Sequence, residues 1–393
     1  MDLNTTATLE LPLPDLARHF LLNEEIVFLN HGSYGACPRP VFETYQSWQR
    51  ELERDPVDFI GRRTQDLMAA SRAELAAFLH TTSDKLVFVP NATYGVNVVA
   101  RSLKLEPGDE ILTTDHEYGA VNNTWRFNCE RTGAVYINHP IPLPVTTPEE
   151  FVERLWQAVT PRTKVITLSH ITSPTALIFP VELVCHRARE AGIITVIDGA
   201  HAPGQIDLDL DAMGVDYYTG NCHKWLCAPK GSAFLYAAAG RDPVLEPLIV
   251  SHGWSNTTLG TRFQNNFTWT GTMDPAAYIS VGEAVRFQRE HNWASVRAAC
   301  HALACETRAR LNDLTGLDPI CPDSTTWFAQ MFVARLPVEA RPRIAERLWP
   351  EYRIEVPVFP WQNEAFIRIS VQAYNTPAHM DYLLNALDKI IHE

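Results

Sequence analysis

Residues 163–198 read TKVITLSHITSPTALIFPVELVCHRAREAGIITVID. Two apolar, β-branched runs, Thr163–His170 and Ile193–Asp198, flank an amphipathic stretch, Pro180–Gly192. Strands this poor in polar residues are covered on both faces, and a helix between two of them makes them parallel neighbours. The alternation extends outward over roughly residues 65–240. Further runs lie at Lys85–Pro90 (KLVFVP), Glu110–Thr114 (EILTT), Ala134–His139 (AVYINH), Val215–Gly220 (VDYYTG) and Gly231–Tyr236 (GSAFLY), with a second amphipathic stretch at Pro148–Val159. The pattern predicts an α/β fold with a mainly parallel central sheet flanked by helices.

Beyond residue 280 the pattern changes. A long amphipathic helix is expected over Gly282–Leu314. Strands follow at Trp327–Ala334, Ile354–Val358 and Phe366–Val371, with helices at Pro342–Leu348 and Pro377–His392. This reads as a smaller α+β domain. The expected division is a large domain over 26–280 and a small one made of 1–25 and 281–393, which suits a chain of 393 residues. The net charge of −13 argues against nucleic acid or an anionic membrane as partner. No apolar run is long enough to span a bilayer, and the N-terminus lacks a basic segment followed by an apolar core, so a cytoplasmic protein is expected. The eight cysteines are scattered without a CxxC pair, which argues against structural zinc.

Ligands of open parallel sheets sit beyond the carboxyl ends of the strands. Asp198 ends IITVID there and is followed by GAHAPG. Alone it reads as a turn cap or as an acid held for a cation. Lys224 follows another apolar run in TGNCHKW, and a desolvated lysine becomes a usable amine nucleophile. NATYG (91–95) lies between a strand and a helix, where free amides and the helix dipole attract an anion. Together they suggest a phosphate-bearing cofactor, an acid for a ring nitrogen and an amine for a Schiff base.

On these residues the chain resembles fold-type I enzymes that use pyridoxal 5′-phosphate (PLP), in the class V aminotransferase group and its isopenicillin N epimerase-like branch. The matching stretches are FLNHGSYG (28–35), NATYGVN (91–97), DHEYGA (115–120), SHITSPTALIFP (169–180), VIDGAHAPGQ (196–205), GNCHKWLCAPKG (220–231), FTWTGTMDP (267–275) and FIRISVQAYNT (366–376), in the family's order. The resemblance implies that Lys224 carries PLP as a Schiff base and Asp198 pairs with the ring nitrogen. His201, where relatives often have glutamine, would bond the ring oxygen. Ala92, Thr93 and His223 would hold the phosphate, and Gly271 and Thr272 the phosphate in a partner subunit of a homodimer. His116 or Tyr118 would stack on the ring, His116 ranking ahead and joining the catalytic set. Arg368 would grip the substrate carboxylate, with Asn30 and His31 lining the substrate side.

Two departures stand out. Ser173 occupies a position where relatives often have asparagine facing the cofactor. No cysteine lies in 353–368, where desulfurases of the group carry one, which argues against sulfur transfer there. Chemistry at the α-carbon of an amino acid follows from the resemblance, with epimerisation first, C–S β-elimination from a cysteine or cysteine sulfoxide conjugate second, and transamination third. A second acid for epimerisation is open among His31, Tyr94, His116 and Tyr118. A chain that kept the fold and lost catalysis is the non-enzymatic alternative. The nucleotide-binding alternative lacks GxGxxG and GxxxxGK[ST].

Overall fold

Seven of the apolar runs pair into one sheet in a computed structural model that describes residues 14–255 and 260–393. The strands are β1 (Leu86–Val89), β2 (Glu110–Thr114), β3 (Val135–His139), β4 (Thr163–Ser169), β5 (Ile194–Asp198), β6 (Tyr217–Asn221) and β7 (Ala233–Ala237). Their order is β1-β7-β6-β5-β4-β2-β3, and β7 alone runs antiparallel to its neighbours. The order reverses beside β2 and β4, where chain loops leave a crevice at the carboxyl ends.

Alternate residues of each strand feed two cores. Phe88, Ile166, Ile197, Tyr218 and Phe234 belong to the larger core, and Val87, Val165, Val196, Tyr217 and Leu235 to the smaller one. Helices cover both faces, so neither set of side chains meets water, and the strands read as continuous apolar runs. After α1 (Arg39–Arg54) and α2 (Thr64–Phe78), the crossovers are α3 (Ala92–Ser102), α4 (Gly119–Thr132), α5 (Pro148–Trp156) and α6 (Val181–Glu190).

The single long helix expected over 282–314 is two helices, α7 (Val281–Glu290) and α8 (Trp293–Thr315). Asn292 takes a left-handed conformation (φ 45°), which asparagine tolerates, and the break lets buried Trp293 pack on Phe287 at 5.9 Å. The strand expected over 327–334 shifts to β8 (Met331–Leu336). α9 (Arg341–Tyr352) follows, and then β9 (Val358–Trp361) and β10 (Glu364–Ser370) form an antiparallel sheet of order β9-β10-β8 with β8. The run 354–358 divides around Pro357. Ile354–Glu355 pairs instead with Val27–Phe28, and β9 pairs with β10. α10 (Pro377–His392) closes the chain as expected. Phe20 packs on Tyr374 at 4.9 Å, joining the N-terminal segment to this unit. Of the segment 1–25, residues 1–13 lie outside the described ones. No helix among the described residues is long and apolar enough to cross a membrane.

Candidate active site

The strand ends of β5 and β6 bring Asp198, His201 and Lys224 together. Asp198 is 3% exposed, and one oxygen accepts the Ala200 amide at 3.0 Å. The other oxygen makes no hydrogen bond among the described residues. Burial raises its pKa to about 6, against the Ala200 amide and the Lys224 charge. Burial likewise lowers Lys224 to about 8, with Arg368 in the same direction and Asp198 opposing. Lys224 Nζ lies 3.2 Å from His201 Nε2. On the far side of that ring, Trp225 Nε1 donates to Nδ1 at 3.3 Å. Burial keeps His201 neutral, so its one proton sits on Nε2 and points toward the lysine. The loop is tied down by Gly35, whose positive φ of 70° lets its backbone meet the His223 carbonyl. A Cβ there would fall 2.1 Å from that oxygen.

The N-terminus of α3 faces the same crevice. Asn91 caps it by accepting the Tyr94 amide at 2.9 Å. The Thr93 amide and hydroxyl make no hydrogen bond among the described residues. The Ala92 amide is not free as expected: Asn221 Oδ1, at the end of β6, accepts it at 2.9 Å. His223 Nδ1 donates to the Ser232 carbonyl at 3.0 Å, and burial lowers its pKa to about 4. Its Nε2 makes no hydrogen bond among the described residues.

Arg368 arrives from β10. Its guanidinium donates to the Ser173 carbonyl at 2.7 Å and the Ser173 hydroxyl at 3.0 Å, and more weakly to Ser33 at 3.3 Å. Nε is buried without a partner. Burial lowers Arg368 to about 10, with Tyr118 opposing. Ser173, expected against the cofactor oxygen, is engaged by Arg368 instead. Asn30 sits beside this wall, accepting from Ser33 at 2.6 Å and donating to Glu355 at 3.2 Å.

Two expected site residues are structural. His116 is fully buried (0% exposed), with Nδ1 on Thr175 Oγ1 and Nε2 on the Ile141 carbonyl, each at 2.8 Å. Its ring is walled by Phe179 and Trp361, so no face is open to a ligand. His31 is also 0% exposed. Its nitrogens meet Tyr374 and the Lys224 carbonyl, each at 3.0 Å, so it clamps the lysine loop rather than lining the substrate side. Tyr118, at the N-cap of α4, is 48% exposed and is the aromatic left open. Gly271 and Thr272 lie on a partly exposed segment, with no hydrogen bond to the other site residues in this chain. Sequence reading missed Asn221 and buried Glu117, and gave Trp225 no bonding partner. Glu117 accepts the Ser169 amide at 3.0 Å and hydroxyl at 2.6 Å and is raised to about 7 by burial. Asn221 and Trp225 flank the lysine in GNCHKW, but residue type alone does not reveal whom a side chain bonds.

Residues 38–332 match the family model described as aminotransferase class-V. The chain belongs to this family. Isopenicillin N epimerase from Amycolatopsis lactamdurans is 35% identical over 383 residues, spanning 94% of this chain and 96% of that one. Hercynylcysteine sulfoxide lyase from Schizosaccharomyces pombe is 25% identical over 387 residues, spanning 95% and 96%. Among solved structures, a complex of the cystine C–S lyase C-DES with cysteine persulfide has a TM-score of 0.81 at 21% identity, covering 93% of this chain and 98% of that one. That likeness establishes the fold.

The protein is therefore a class V, PLP-dependent enzyme. The site fits the cofactor on its own terms. A buried carboxyl with one free oxygen suits a protonated ring nitrogen, and that partner would restore the ionised acid that burial alone disfavours. The His201 N–H suits a ring oxygen, and the unpaired Thr93 donors at a helix N-terminus suit a phosphate.

Proposed function

We propose that this enzyme epimerises an amino-acid centre of a peptide-like substrate resembling isopenicillin N. The observation that carries the reading is the 35% identity to an isopenicillin N epimerase over 94% of the chain. When bound, pyridoxal phosphate supplies an electron-withdrawing ring that takes up charge left at the α-carbon. Lys224 would hold it, and the Lys224 Nζ would serve as base for the α-proton, a role its lowered pKa near 8 supports. Asp198 would pair, ionised, with the ring nitrogen, His201 would donate from Nε2 to the ring oxygen, and Thr93 with His223 would hold the phosphate. Ala92 joins them only if Asn221 releases its amide. Arg368 binds the substrate carboxylate.

Inversion needs a second proton donor on the opposite side of the centre. His31 and His116 are fully enclosed, and Tyr94 is half-buried against the smaller core. Tyr118 is the remaining candidate and the aromatic for the ring face. A large domain at 26–280 with a small one of 1–25 and 281–393, a homodimer in which Gly271 and Thr272 serve the partner's phosphate, and a cytoplasmic location belong to the same reading. Eight unpaired cysteines support a reducing compartment.

The test is incubation with isopenicillin N in deuterium oxide. Chiral separation should show inversion with deuterium at the α-carbon. The second reading, C–S elimination, is favoured by the match to a hercynylcysteine sulfoxide lyase over 95% of the chain. Pyruvate and ammonia released from cysteine conjugates, with no inversion of isopenicillin N, would replace the first reading by the second.

A further inference from the structure

A second cavity, of about 520 Å³, opens away from the residues assigned to the cofactor. Its walls come from the start of α6, from His80 after α2, and from the loop over 207–213. Its volume lies within the span of about 300–1,000 Å³ common for small-ligand sites. None of its lining residues belongs to the candidate active site.

His170 lines this cavity at 7% exposure. Its Nδ1 meets the Tyr218 hydroxyl at 2.9 Å, and its Nε2 makes no hydrogen bond among the described residues. Burial lowers its pKa to about 3, so the ring is neutral and Nε2 offers one directed hydrogen bond. That nitrogen stands on the cavity wall, where a ligand or water can meet it. His80 Nδ1 donates to the Leu208 carbonyl at 2.9 Å, and its Nε2 makes no hydrogen bond among the described residues.

The rim selects charge. Asp207, Asp209 and Glu182 stand on it. Asp207 is paired with Arg297, and among the described residues the Glu182 carboxylate has only His186, 3.7 Å away. Asp209 caps the Ala212 amide without a cationic partner among the described residues. Val181, Leu208 and Met213 give apolar walls. An organic cation with an apolar body and a polar far end matches this lining.

A chain of contacts links the cavity wall to the cofactor site. Tyr218 hydroxyl packs directly on Gly199, where a Cβ would fall 2.1 Å from it. Gly199 follows Asp198, and the His170 amide donates to the Asp198 carbonyl at 2.9 Å. An occupant touching His170 thus acts on the strand end that carries the ring's acid.

We propose that this cavity, built from His170, His80, Glu182 and Asp209, is a regulatory site for a small amphipathic organic cation, linked through His170 and Tyr218 to Asp198. The probe is hordenine, a tertiary amine bearing a phenol, which cannot condense with the cofactor's aldehyde. Calorimetric titration of the holoenzyme should give saturable binding of one probe per subunit, and the cofactor's visible band should shift as the site fills. Ala212→Trp, at an exposed position on the cavity mouth, should weaken binding by roughly tenfold or more while leaving turnover unchanged. The anion 3-(4-hydroxyphenyl)propionate should bind at least about tenfold more weakly than hordenine. No saturable binding, or binding undiminished by Ala212→Trp, overturns the site. Binding with an unmoved band overturns the link to Asp198. None of these readouts depends on which reaction the enzyme catalyses.

Discussion

Asp198 ends β5 and His116 follows β2, so both occupy the carboxyl edge of one parallel sheet. Both are buried, and both are polar residues in a place where ligands bind. They differ in what they have left to offer. His116 has given both nitrogens to Thr175 and Ile141. Asp198 has engaged one oxygen with Ala200 and keeps the other. His201 and His31 differ in another way: the second nitrogen of His201 meets the Lys224 amine itself, whereas His31 holds the backbone of that lysine. Burial at a strand end therefore does not mark a site residue. Hydrogen-bonding capacity left unused after folding does, because an unmet buried group is costly unless a ligand meets it.

Substitutions can break or sharpen this contrast. The largest effect is expected for Lys224→Ala, which should lower kcat by about 10³-fold or more, read as α-deuterium exchange, with the fold retained by circular dichroism. Next comes Tyr118→Phe, which should slow inversion by roughly 10²-fold. The enclosed neighbour behaves oppositely: His116→Gln should keep kcat/KM within a few-fold, yet cost about 1–3 kcal/mol in chemical denaturation by stranding its buried partners. Equal losses of turnover in the two variants would erase the distinction. Arg368→Lys should raise KM by roughly tenfold with a smaller change in kcat, because one ammonium cannot reproduce the paired donors now held by Ser173 and Ser33.

The smallest effect concerns stability in the cofactor-free protein. Burial holds Asp198 near 6 against an ordinary 3.8, so the folded chain binds that proton more tightly than the unfolded chain. The resulting stabilisation, of about 3 kcal/mol at most, is complete below pH 3.8 and is lost as pH rises through 6. Asp198→Asn should flatten that part of the curve, as should added PLP. A wild-type curve without this slope would mean that Asp198 is better solvated than the geometry implies.

The sheet was legible because its strands are apolar on both faces. Each of the seven runs named from sequence is a strand, with ends moved by at most two residues. Elements that depend on one backbone angle were not legible. Asn292 splits the long helix by turning left-handed, and Pro357 separates two strands that read as one. In the site, Asp198 and Lys224 stood out by residue type and position after apolar runs, whereas His201 and Arg368 entered through the family resemblance. His116, His31 and Ser173 misled for one reason: sequence gives the donor, and only packing gives its partner. Tyr118 illustrates the converse, a tyrosine left open because its neighbours His116 and Glu117 turn into bonds of their own.

The most direct test of the account is borohydride reduction of the holoenzyme, followed by peptide mapping by mass spectrometry. The account predicts a phosphopyridoxyl mass on the peptide containing Lys224, and no such adduct in Lys224→Ala. An adduct on Lys230 or another lysine, or none in a protein that still turns over substrate, would contradict it.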